Sequence, residues 1–131
     1  MSPLSSLGIV VQEGASFSGE LVEGVGPPVI RFKGTLSHAQ PETVLGPYFA
    51  KLHERFTGQH LSLVHVDLRE VIFMNSSSFK SLLNWIALIQ SPANGNPYRI
   101  RFFVDRKRRW QPTSVHALRC FAPELVEMDE S

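Results

Sequence analysis

The sequence holds a single cysteine, Cys120. No internal disulfide can form, and a reducing compartment, the cytoplasm, is expected. An excess of one charge sign is also missing. Thirteen Lys and Arg stand against twelve Asp and Glu, a formal net charge of +1. The pI is near 8.0, which gives no electrostatic ground for binding nucleic acid or a membrane surface. No uncharged apolar run reaches the ~18 residues of a membrane span. The opening MSPLSSLGIV lacks the basic region and apolar core of a secretory signal. G-x-S-x-G, Walker A and G-x-G-x-x-G are absent. The five histidines, His38, His53, His60, His65 and His116, show no metal-ligand spacing, and none is read as a close partner of Cys120. No metal, no cofactor and no catalysis are therefore expected. There is no internal repeat, linker or low-complexity tract.

What is present suits one globular domain. A chain of 131 residues with 43% hydrophobic and 19% charged residues can build a core without metal or disulfide. Residues 1–7 and 126–131 read as loose tails. Gly8 to Gln12 and Phe17 to Val22 read as strands, with a turn over Glu13 to Ser16 between them. Gly24-Val25-Gly26-Pro27-Pro28 breaks the chain. Val29 to Leu36 then alternates, Ile30, Phe32 and Leu36 facing one way and Arg31, Lys33 and Thr35 the other. It reads as a strand with one wet face or a place near the sheet edge. Leu45, Tyr48, Phe49, Leu52 and Phe56 form a helical stripe. Pro47 predicts a regular helix starting near 43–47 and ending at Thr57-Gly58.

The stretch 61–90 changes period in its middle. Leu61 to Leu68 is short and almost wholly apolar apart from Ser62, His65 and Asp67, which suits a strand covered on both faces. His65 reads as buried and hydrogen-bonded. From about Ser77 to Gln90, Phe79, Leu82, Leu83, Ile86 and Ile89 make one apolar stripe. Trp85 reads as packing on the sheet, with a partner anchor as the alternative. Between the two halves lies Phe73-Met74-Asn75-Ser76-Ser77-Ser78, rich in helix N-caps. Free N–H groups and the positive end of the helix dipole gather at such a start, where a phosphorylated hydroxyl is accommodated.

Ser91 to Pro97 is a long turn signal, and Arg99 to Asp105 a further strand. Arg106-Lys107-Arg108-Arg109 is a basic loop. Gln111 to Phe121 reads as a short helix with Val115, Leu118 and Cys120 inward. Leu125 to Ser131 is acidic and reads as a brief strand or a tail. The order β(β)β-α-β-α-β-α favours an α/β mixed sheet, largely parallel in its centre, with helices packed on it and right-handed crossovers. In a parallel sheet the serine run and the basic loop end at the same edge.

The text Asp67-Leu68-Arg69-Glu70-Val71-Ile72-Phe73-Met74-Asn75-Ser76-Ser77-Ser78-Phe79 resembles the strand-to-helix motif of the STAS domain, the fold of bacterial anti-anti-sigma factors. The resemblance covers roughly residues 29–121. Asn75 stands where the family has aspartate, and Ser78 where it has glycine. The resemblance implies a non-catalytic regulatory protein, an antagonist of an anti-sigma factor. Its partner would be a histidine-kinase-like serine/threonine kinase or anti-sigma factor, with a PP2C-type phosphatase as a further partner. Ser76 takes the place of the phosphorylated serine, Ser77 and Ser78 being the weaker choices. The partner-binding surface implied is Asn75, Ser76, Ser77, Ser78, Lys80, Arg106, Arg108 and Arg109. An arginine of the loop could meet a phosphoserine or an acidic partner. Two alternatives stand beside this reading. One is a scaffold of the same fold that has lost the switch. The other is an enzyme or nucleic-acid binder with a pocket between the serines and the basic loop.

Overall fold

Among the described residues nine elements follow one another: β1 (Gly8–Val11), β2 (Phe17–Val22), β3 (Val29–Leu36), α1 (Glu42–Gly58), β4 (Leu63–Met74), α2 (Ser76–Gln90), β5 (Arg99–Val104), α3 (Trp110–Phe121) and β6 (Val126–Glu130). The computed structural model describes residues 8–11, 16–37, 39–91 and 97–130. The tail at 1–7, His38, and most of the turns read at 13–16 and 91–97 lie outside the described residues.

The six strands form one sheet in chain order, β1-β2-β3-β4-β5-β6. The β1–β2 and β2–β3 pairs are antiparallel; β3–β4, β4–β5 and β5–β6 are parallel. This is the α/β mixed sheet, parallel in its centre, that the alternation of elements implies. Of the two readings of the C-terminal segment, a brief strand or a loose tail, the strand holds: residues 126–130 form the edge strand β6, with Val126 paired to Ile100 and Glu130 to Val104.

Each parallel step moves in the same direction across the sheet. Right-handed crossovers then place all three helices on one face. Burial agrees. Ile30, Phe32, Val64, Val66, Leu68, Ile100, Phe102 and Val104 are buried under the helices. The alternate residues of the same strands are half-buried or exposed: Arg31, Lys33, His65, Asp67, Arg101 and Phe103. The expectation that the central strand is covered on both faces is therefore wrong: His65 and Asp67 lie on its uncovered face, and Ser62 precedes the strand. For β3, the wet-face reading holds and the edge reading does not.

The core is one cluster. The α1 stripe of Leu45, Tyr48, Phe49, Leu52 and Phe56 is wholly buried. Pro47 lies inside this helix without ending it. Trp85 stacks on Phe49 with ring centroids 4.8 Å apart, an arrangement that adds about 0.5–1.5 kcal/mol beyond burial. Trp85 is thus a core residue and not an external anchor. Its indole N–H donates to the Tyr98 hydroxyl at 3.0 Å, and that hydroxyl lies 2.8 Å from His53 Nδ1. Cys120, expected in the core, is exposed, with its sulfur 3.7 Å from His116 Nε2. The buried face of α3 is set by Gln111, Val115 and Leu118, which turns Cys120 outward.

β4 is the element the sequence cut short. It runs six residues past Leu68 because β3 continues to pair with it. Between the pairs Arg31–Asp67 and Lys33–Glu70, β4 carries one extra residue, and again between Gly34–Val71 and Thr35–Phe73. Each bulge shifts the alternation by one. Leu68 is followed inward by Val71, and Ile72 and Phe73 are both exposed. Gly34 serves this irregular stretch. Its φ is +101°, and a Cβ there would lie 2.2 Å from the Ser16 carbonyl oxygen.

Candidate functional site

The junction of β4 and α2 is built around Asn75. Its extended backbone (φ −74°, ψ 167°) ends the strand. Its N–H donates to the Leu36 carbonyl at 3.1 Å, which ties it to the end of β3. Its Oδ1 accepts from the Ser78 N–H at 2.9 Å and from the Ser78 hydroxyl at 2.6 Å. This is an N-cap doubled by a side-chain bond. Ser78 is fully buried, whereas Ser76 and Ser77 are exposed. The hydroxyls in reach of a partner are therefore those of Ser76 and Ser77. Nothing among the described residues accepts from the N–H groups of Ser76 and Ser77, and the first turn of α2 has no acidic residue. Lys80 is exposed one turn on. Ser81, buried, donates to Glu42 Oε1 at 2.6 Å and fixes the start of α2 to the start of α1.

The basic loop is held by the residue that precedes it, Asp105. The Asp105 carbonyl accepts from Arg108 N–H and its carboxylate from Lys107 N–H, both at 2.9 Å. Arg106, Lys107 and Arg109 are exposed and form no ion pair among the described residues. Arg108 is half-buried, and its Nε has no hydrogen-bond partner among the described residues.

Both segments lie at the C-terminal edge of the parallel strands, but they are staggered. Pairing of β4 with β5 stops at Asp67–Phe103. Among the described residues, no strand pairs with β4 beyond Leu68 on that side. The first turn of α3 takes the place of the missing strand. The Gln111 amide donates to the carbonyls of Leu68 (2.6 Å) and Val71 (2.8 Å), and its oxygen accepts from the Asp105 N–H (2.8 Å). Trp110 donates its indole N–H to the Ile72 carbonyl at 3.0 Å. The basic loop is thereby fastened to the strand just before the serines.

Sequence reasoning missed Gln111, Ser81 and Glu42, since single polar residues on helical stripes carry no signal of a partner across the fold. It missed Ile72 and Phe73 because their exposure depends on the bulges.

The bare face of the sheet is the other polar surface. Asp67 accepts three bonds from Arg69, two at 3.0 Å and one at 2.9 Å. Burial pulls the Asp67 pKa up, but these bonds outweigh it and hold the carboxyl below its usual value. Arg101 bonds Glu127 at 2.9 Å, and Arg99 also pairs with it. His65, expected to be buried and hydrogen-bonded, is half-buried on this face with its ring edge-on to Phe103 at 4.9 Å, and its Nε2 has no hydrogen-bond partner among the described residues. Burial, then Arg101, holds its pKa down. The charges alternate across neighbouring strands, which keeps the face wet without giving it one sign.

Among the described residues no group of three or more His, Cys, Asp or Glu side chains could hold a metal ion. No helix of the described residues is long and apolar enough to cross a membrane. No protein-family model and no curated protein matches the chain.

Proposed function

We propose that this chain is a non-catalytic regulatory binding module that engages its partner at the start of α2 and is switched by phosphorylation of Ser76. The observation that carries the reading is the division of labour at the junction. Asn75 and Ser78 complete the cap between themselves, leaving Ser76 exposed on the helix N-terminus with N–H groups to spare. A phosphate there, of about −1.5 to −2 charge, is compatible with the helix dipole and needs no refolding. A partner packed over Ser76 would lose its seat. The motif resemblance names the partner class: a histidine-kinase-like serine/threonine kinase or anti-sigma factor, with a PP2C-type phosphatase to reverse the mark.

The test is to mix the chain with the ATPases and phosphatases encoded beside it. Phosphate transfer to Ser76, with weaker binding afterwards, supports the reading. Absence of both transfer and binding, with Ser76→Glu leaving every detected interaction unchanged, removes it. The scaffold alternative predicts binding without phosphate: mass spectrometry of the protein from its stressed native host would find Ser76, Ser77 and Ser78 unmodified.

A further inference from the structure

We infer that the bulged end of β4 and the basic loop together form a docking shelf for an acidic polypeptide segment carrying large apolar side chains. Ile72 and Phe73 are adjacent, 57% and 48% exposed, at the end of a strand whose other apolar residues are buried or half-buried. Two neighbouring large apolar side chains left in water beside a helix start mark an interaction surface more than a packing accident. The shelf is rigid where it matters. The Trp110 indole is bonded to the Ile72 carbonyl, and Gln111 closes the backbone of Leu68 and Val71. A contact at Ile72 is therefore held in register with the loop that precedes Trp110. That loop presents Arg106, Lys107 and Arg109, exposed and without an ion-pair partner among the described residues. Its one acid, Asp105, has its carboxylate turned to the loop's own backbone at Lys107. The charge complement of this rim is acidic, and the complement of Ile72 and Phe73 is apolar. A segment that alternates the two satisfies both.

The inference rests on the binding-module reading but not on the phosphorylation of Ser76. Random peptides displayed on phage are selected against the whole chain, and the selected binders are measured by fluorescence anisotropy. The expected binders combine Asp or Glu with aromatic or aliphatic residues. Their affinity falls at least about ten-fold in Ile72→Ser or Phe73→Ser and comparably in the Arg106→Glu, Lys107→Glu pair, and it weakens as salt rises. The charge-reversal pair lies wholly on the surface and keeps the test decisive if an apolar variant fails to fold. Binders that are neutral or basic, binding indifferent to these substitutions, or preference of the same residues for a single-stranded oligonucleotide overturn the inference. Acidic binders that depend on the shelf sustain it even if Ser76 is never modified, an outcome that removes the switch alone.

Discussion

Replacing Gln111 with Met keeps most of the side-chain volume and removes every polar atom. Gln111 is fully buried and makes three hydrogen bonds to backbone groups: to Leu68 and Val71 as donor, and from Asp105 as acceptor. A made hydrogen bond contributes about 1 kcal/mol net, and a buried group left without a partner costs about 1–3 kcal/mol. Water can reach the stretch next to exposed Ile72, which softens the loss toward the lower figure. The expected destabilisation is about 3 kcal/mol. For a domain of this size that lowers the melting temperature by about 10 °C. Urea unfolding followed by tryptophan fluorescence gives the value. Amide exchange should also speed up at Asp105, whose N–H loses its acceptor. A Gln111→Met protein within about 0.5 kcal/mol of the parent would refute the claim that α3 replaces the missing strand beside β4.

Other outcomes follow from the same geometry. Asn75→Ala removes the cap on α2 and leaves the buried Ser78 hydroxyl without its acceptor; a loss of about 1–2 kcal/mol in urea melts is expected. Ser76→Asp, at the exposed first position, stabilises by about 0.3–1 kcal/mol, while Ser78→Asp buries a carboxylate beside the Asn75 oxygen and destabilises by about 3 kcal/mol. Equal effects of the two aspartates would contradict the assigned burial. Stability should also fall in mild acid. Burial holds His53 below its ordinary pKa. Its Nδ1 faces a hydroxyl that already accepts from Trp85, so the fold favours neutral His53 accepting from Tyr98. The unfolded chain binds that proton more readily. The stability is thus fully present above the unfolded pKa of about 6.5 and declines as pH falls through the folded value. His65, held low by burial and Arg101, acts in the same direction. Urea midpoints should drop between about pH 7.5 and about pH 5.5, less steeply in His53→Gln; identical midpoints would sink the argument.

The residues that announced themselves were those in regular elements. The alternation of β3 and the stripe of α1 follow from Ile30 and Phe32 and from the spacing of Leu45 to Phe56, and these are buried as their period implies; in the α2 stripe Leu82, Ile86 and Ile89 are buried, while Phe79 and Leu83 are half-buried. Irregular backbone was not legible. By its sequence the strand ends at Leu68, whereas two bulges re-phase β4 and carry it on to Met74. One of them lies opposite Gly34, on another strand, where a Cβ would meet the Ser16 carbonyl. One-sided coverage was equally hidden, since it depends on strand order. A run such as Leu61 to Leu68 looks doubly covered until His65 and Asp67 are seen on the bare face. At the candidate site the cap could be read from Asn75 and the serines. Which serine is buried could not, because that is decided by the rotation of α2 set by Trp85, Ser81 and Glu42.

The central claim is that a phosphate on Ser76 changes what the start of α2 can hold. Calorimetric titration of the unmodified and the Ser76-phosphorylated chain against the proposed partner, a histidine-kinase-like ATPase encoded beside it, measures this directly. The account predicts affinity at least about ten-fold lower for the phosphorylated form, a difference of about 1.4 kcal/mol. Equal affinity of the two forms would contradict it.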